Sequence, residues 1–89
     1  MDDCSLELNF GDGPLDPSEI ELETEHFLFL MREQPVLTGS GIIIPKRFMT
    51  TPFDLSPQEW ADLQRALLRS RMHIETRHEP QGYNIGWNV

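Results

Sequence analysis

Two local signals bracket a single helix and leave the rest of the chain to short extended segments. Ser56-Pro57-Gln58-Glu59 is a capping box: the serine hydroxyl accepts from the Glu59 amide, and the Glu59 carboxylate reaches back to the cap. Pro57 occupies the first helical position, where its missing N–H costs nothing. Pro80-Gln81-Gly82 breaks the pattern again, so the helix is expected to run from Pro57 to about Thr76–His78. Leu55, just ahead of the cap, is placed to staple onto Trp60. Trp60, Leu63, Leu67 and Ile74, widened by Ala66, Leu68 and Met72, predict the buried stripe, and Asp62, Arg65, Arg69 and Arg71 predict a solvated face. On that reading Trp60→Ala costs roughly 3–5 kcal/mol.

Outside the helix the pattern is that of strands. Ile20, Leu22 and Thr24 alternate with Glu21, Glu23 and Glu25, as in a half-buried strand with one acidic, wet face. After a turn at Glu25-His26, Phe27-Leu28-Phe29-Leu30-Met31 reads as a strand buried on both faces, and the short connection predicts an antiparallel hairpin. Gln34 to Gly41 is a loop marked by Pro35 and Gly39-Ser40-Gly41. Ile42-Ile43-Ile44 forms a third strand, because three β-branched residues in a row favour a sheet, and Pro45 ends its ladder. Tyr83 to Val89 is the last strand. Leu6, Leu8 and Phe10 alternate weakly among glycines and prolines, enough for a short edge strand. The expected fold class is therefore α+β, with a mostly antiparallel sheet and one long helix packed on it. Since the sequence stops within or at the edge of a strand, the sheet is expected to be incomplete at its C-terminal end.

Charge divides the chain. Residues 1–25 carry nine acids and no lysine or arginine, whereas residues 26–89 carry seven bases and six acids, so the net charge of −8 is a −9 head on a +1 body. This suggests an acidic segment over 1–18 followed by a domain over 19–89. An acidic chain is a poor partner for nucleic acid, whose binding runs on Lys and Arg neutralising phosphates. No apolar run approaches the ~20 residues of a bilayer span, and the acidic start is unlike a secretory leader. A single cysteine, Cys4, excludes an internal disulfide. The expectation is a cytoplasmic protein without membrane contact. His26, His73 and His78 show no metal-ligand spacing; the last two, five residues apart on a helix, do not share a face, and no metal or other cofactor is expected.

Three stretches resemble the histidine-triad (HIT) family. Pro35-Val36-Leu37-Thr38-Gly39-Ser40-Gly41-Ile42-Ile43-Ile44-Pro45-Lys46-Arg47 is similar to the family's PxxxGHxLxIPKRH stretch. Phe53-Asp54-Leu55-Ser56-Pro57-Gln58-Glu59 looks like the opening of its long helix, and Gly82-Tyr83-Asn84-Ile85-Gly86-Trp87-Asn88-Val89 like its GYNxGxNxG strand. Together they cover roughly residues 20–89, which makes the expected domain a partial HIT-like one. The resemblance implies a sheet of about five strands and commonly a homodimer. In that family the chain continues into HxHxHxx, whose alternating histidines converge on one phosphate; one attacks the α-phosphorus of a nucleotide, and water hydrolyses the nucleotidyl-histidine. This sequence ends before that strand.

Carried over residue by residue, the resemblance makes Asn88 a contact to substrate phosphate or ribose, and Leu30, Met31 and Arg32 part of the base pocket and its reach to the ribose. Many members place an aspartate where Arg32 stands; arginine accepts no hydrogen bond, so its target would be a phosphate. Ser40 and Phe48 replace two family histidines that mainly support structure, and Glu7 stands where many members carry the second cysteine of a CxxC begun at Cys4. Lys46 and Arg47 are read as solvated. The resemblance thus implies a nucleotide-binding protein related to hydrolases and transferases that cleave dinucleoside polyphosphates or nucleoside phosphoramidates. Its ligand would be a purine nucleotide or dinucleoside polyphosphate, and this chain, without the catalytic histidines, would be inactive alone. The alternative is a non-catalytic dimerisation or interaction module built on a HIT-type sheet.

Overall fold

The computed structural model describes residues 4–9, 17–31, 40–80 and 82–88, with the backbone alone for 4–9 and Asn88. Arg32, Phe10 and the Gln34–Gly39 part of the expected loop lie outside the described residues. Five strands and one long helix follow in chain order: β1 (Cys4–Asn9), β2 (Ile20–Glu23), β3 (Phe27–Met31), β4 (Gly41–Pro45), α1 (Pro57–Glu75) and β5 (Tyr83–Asn88). Short 3-10 turns at Pro17–Glu19 and Pro52–Asp54 lead into β2 and α1. The molecule is a small α+β fold.

The antiparallel half of the sheet forms as the alternation predicts. β2 pairs with β3 and β3 with β4, both antiparallel, with Phe29 opposite Ile43 and Leu30 opposite Ile42. The β2–β3 turn closes through the Thr24 amide donating to the Phe27 carbonyl at 2.9 Å, and the Phe27 amide donating to the Thr24 hydroxyl at 3.2 Å. A threonine hydroxyl that accepts locally is a turn-forming device. The other half of the sheet differs from expectation. β1 pairs in parallel with β4 on one side and with β5 on the other, giving the strand order β2-β3-β4-β1-β5. The segment expected to be an edge strand is therefore interior, and the sheet is mixed. Parallel neighbours need long crossovers, and both are available here: the chain between β1 and β4 contains the β2–β3 hairpin, and that between β1 and β5 contains the hairpin, β4 and α1.

α1 begins and ends where the capping signals put it. The Ser56 hydroxyl accepts from the Glu59 amide at 3.1 Å, the Ser56 amide donates to the Glu59 carboxylate at 2.8 Å, and Thr76 caps the C-terminus. Its buried face is another matter. Glu59, Asp62, Leu63, Ala66, Ser70 and Ile74 are buried, whereas Trp60, Leu68 and Met72 are 45%, 52% and 65% exposed. At 100° per residue the inner face is turned by about 60° from the one the apolar residues predict. The cause is polar: Glu59 and Asp62 have long-range partners that repay their desolvation, so they go inside and Trp60 is turned outward. Leu55 still enters the core cluster, to which Leu63 also belongs. Trp60→Ala should accordingly cost on the order of 1 kcal/mol rather than 3–5. Urea denaturation of the variant decides between the two faces.

The core is one cluster between α1 and the sheet: Phe27, Phe29, Ile43, Met49, Leu55, Leu63, Ala66 and Ile74, with Leu22, Met31, Leu67 and Tyr83 packed against it. Because side chains alternate across a strand, Phe27, Phe29 and Met31 take the helix side of β3, and Leu28 and Leu30 the other. A bulge in β2 between Ile20 and Leu22 breaks the simple alternation there. Glu21, expected on the wet face, lies 3.2 Å from His73 Nε2 and 3.3 Å from Arg77 on α1.

Candidate functional site

Of the four residues that the resemblance singles out, the structure describes Leu30, Met31 and the backbone of Asn88. Leu30 is fully buried. Met31 is half-buried against the core cluster. Arg32 and the Asn88 side chain lie outside the described residues. The backbone sets the spacing of Met31 and Asn88: β4 and β1 separate β3 from β5, three inter-strand steps or about 14 Å. In register Met31 is level with Gly41, Leu6 and Ile85, and Asn88, opposite Asn9, lies a further three residues along, about 10 Å.

A charged groove does form, at the N-terminal end of α1, between the β2–β3 turn and the segment after β4. Its cations are held by carboxylates. Arg47 grips Glu59 with two bonds, Nε to Oε2 at 3.1 Å and Nη2 to Oε1 at 2.8 Å, and donates to the Asp54 carbonyl at 2.7 Å. Lys46 and Arg47 are exposed, as expected, and Lys46 pairs with Glu23. Arg65 reaches Asp62 at 3.1 Å. Asp62 is 2% exposed and accepts from the Thr24 hydroxyl at 2.6 Å and the His26 amide at 2.8 Å. These bonds tie the hairpin turn and the loop after β4 to the helix. They are a structural clamp, with its positive charge already spent on carboxylates.

The titration of this clamp follows from its geometry. The Arg47 hydrogen bond, joined by the Ser56 amide, lowers the Glu59 carboxyl to about 2. For Asp62, burial alone raises the pKa, but the Thr24 and His26 hydrogen bonds and the charge of Arg65 outweigh it and hold the group below its ordinary value. A carboxyl lowered in the folded state binds fewer protons there than in the unfolded chain, so its stabilisation is present above the ordinary carboxylate range and is lost as pH falls. For Glu59 the window runs from about pH 5 down to about 2. Glu59→Gln keeps the capping box, since glutamine also serves at that position, and removes the ion pair. The variant should be less stable than the parent at pH 7, and the difference should shrink as pH falls through this window. Thermal midpoints at pH 7, 5 and 3 check it.

Charge does not dominate the far side of the molecule. A five-stranded sheet is about 19 Å wide, whereas a helix with its side chains is about 10–12 Å across. Among the described residues α1 packs chiefly on β3, so the helix itself does not span the whole helix-side face. Tyr83 packs on the core and its hydroxyl lies 3.1 Å from Glu75, which places it on the helix side of β5; Ile85 and Trp87 share that side by alternation. They are 49% and 41% exposed. Trp60 and Leu67 share the flank of α1 from which Glu75 reaches Tyr83. Other exposed apolar residues are scattered elsewhere: Phe48 and Phe53 before the helix, and Leu68 and Met72 on its outer face. The apolar strip on β5 was hidden from sequence reasoning because its exposure depends on where α1 sits. The strict alternation Tyr83-Asn84-Ile85-Gly86-Trp87 is the signal that could have found it.

The histidines stay apart. His26 is in the β2–β3 turn beside Asp62; His73 is near the other end of α1, its ring edge-on to Phe29 at 5.8 Å. Asp62 and His73 are separated by about 16 Å of helix. Among the described residues no group of three or more His, Cys, Asp or Glu is placed to hold a metal ion, and no helix is long and apolar enough to cross a membrane. Compared with known proteins, the chain matches no protein-family model and no solved structure.

Proposed function

We infer that this chain is a non-catalytic interaction module whose working surface is β5 and the uncovered helix-side face beside it. One observation carries the reading: the apolar residues Ile85 and Trp87 stand exposed on β5, which among the described residues is paired on one side only. An apolar row on an edge strand offers both backbone hydrogen bonds and side-chain contacts to a partner. The groove at the start of α1, by contrast, has its arginines and lysine committed to Glu59, Asp62 and Glu23.

The second reading is nucleotide binding on a HIT-type scaffold. Its support is the three motifs and the order strand, strand, strand, helix, strand from β2 onward that the resemblance implies. Against it stand the burial of Leu30 and the separation of β3 from β5. Calorimetric titration of the full chain with AMP and with GMP at millimolar concentration separates the two. The module reading expects no heat of binding, and no turnover of a dinucleoside polyphosphate. A dissociation constant below about 1 mM for either nucleotide, some 4 kcal/mol of binding, would replace the module with a nucleotide sensor.

A further inference from the structure

α1 packs on the sheet by one face and shows the opposite face to solvent, and the two differ in charge. Leu68 marks the centre of the outer face: at 100° per residue it lies about 160–180° from the buried Glu59 and Ala66. Ala61 and Met72 are exposed within about 40° of Leu68, and Arg65 and Arg71 stand about 60° away, one on each side. Leu68 and Met72 are an i, i+4 pair, part of the ridge that fits a groove on a neighbouring helix. The acids near the start of α1, Glu59 and Asp62, point inward, so the outer face sets Arg65, Arg69 and Arg71 against the single carboxylate of Glu75. Arg65 and Arg71 bond Asp62 and Glu75 yet keep 60% and 58% of their side chains exposed, and Arg69 is exposed beside Arg65. The face is therefore an apolar ridge between cations.

What fits this face follows from its own charges. A two-fold pair of copies would lay the patch on itself, setting three arginines and one glutamate against their like. A bilayer takes up a broad apolar face; here the larger apolar face is turned to the sheet, and Gln64 and Glu75 stand within about 40° of Leu68. Guanidinium groups, by contrast, receive carboxylates in planar two-bond contacts. We propose that the outer face of α1 docks an acidic amphipathic helix of another protein, its apolar stripe laid on Ala61, Leu68 and Met72 and its carboxylates received by Arg65, Arg69 and Arg71. The ridge sets the packing of the two helices, and the arginines select the partner and speed its arrival. This surface lies on the side of α1 away from the sheet, so the inference goes beyond the β5 reading and is independent of it.

The test uses the full chain and two synthetic helical peptides of about 18 residues. Both carry the same leucine stripe, flanked by glutamates in one and by lysines in the other. Calorimetry gives the affinities, and amide chemical shifts locate the contact. The glutamate peptide should shift amides around Leu68 and bind about tenfold more tightly than the lysine peptide at low salt, an advantage that shrinks as salt is raised. Leu68→Glu and Arg69→Glu change exposed positions, and each should weaken the glutamate peptide about tenfold with the far-UV circular dichroism unchanged. Two variants guard against one of them failing to fold. Equal binding of the two peptides, binding of neither, or shifts confined to residues away from α1 would overturn the proposal. Shifts on α1 that arise without peptide and grow with protein concentration would overturn it in favour of a second copy. Co-sedimentation with phosphatidylserine vesicles that Leu68→Glu abolishes would overturn it in favour of a membrane surface.

Discussion

Phe29→Ala is expected to destabilise the chain by about 3–5 kcal/mol, the largest effect of any single side chain in the core. The ring is 1% exposed at the centre of β3, opposite Ile43 on β4 and Leu22 on β2, and edge-on to His73 of α1. It therefore joins the antiparallel strands to the helix. Its fit is tight on the remaining side: a β-carbon at Gly41 would lie 2.5 Å from Phe29 Cε1, so a glycine is required where β4 passes the ring. A domain of this size has roughly 5–15 kcal/mol to lose, at about 4–8 °C of melting midpoint per kcal/mol. Urea denaturation should show the midpoint falling with the slope unchanged. A loss under about 1 kcal/mol would mean that the ring is not the centre of the core.

Asp62→Ala should cost about 2–4 kcal/mol, an unusual sum for an aspartate near the start of a helix. The carboxylate is buried and accepts from the Thr24 hydroxyl and the His26 amide, both in the β2–β3 turn. Removing it strands two donors, each at about 1–3 kcal/mol if water does not reach it. Asp62→Asn retains an acceptor oxygen of similar shape and should lose less, with Arg65, largely exposed, contributing little either way. The pH dependence separates the charge from the hydrogen bonds: the parent should lose stability in acid as Asp62 protonates, whereas the asparagine variant should be flatter. Equal stability of Asp62→Ala and the parent would place the turn away from the helix.

These two residues show what was legible in the amino-acid order and what was not. Phe29 sits in a run of apolar residues whose length and flanks announce a buried strand, and Ser56-Pro57-Gln58-Glu59 announces a helix start, because both signals are local. Asp62 was read as solvated because its partners are 36 and 38 residues away, and no periodicity within the helix reveals them. The same two long-range pairings, with Arg47 on Glu59, turn Trp60 outward. β1 was harder still. Its alternation identified a strand, but whether a strand is edge or interior depends on which neighbours accept it, here β4 and β5 in parallel. For the candidate site, Leu30 is equally readable from sequence as core or as pocket wall; its side chain is fully buried. The β5 surface needed the position of α1, which no single segment encodes.

The most direct measurement is amide hydrogen exchange on the full chain alone, at a concentration where sedimentation shows a monomer. Amides of β3, β4 and the middle of α1 should be protected, while β5 should alternate, slow where its N–H groups face β1 and fast where they face outward. Uniform protection along Tyr83–Asn88 in the monomer would show the edge already filled, and uniform rapid exchange would show that β5 does not join the sheet. Either pattern contradicts an open, ordered edge as the working surface of this protein.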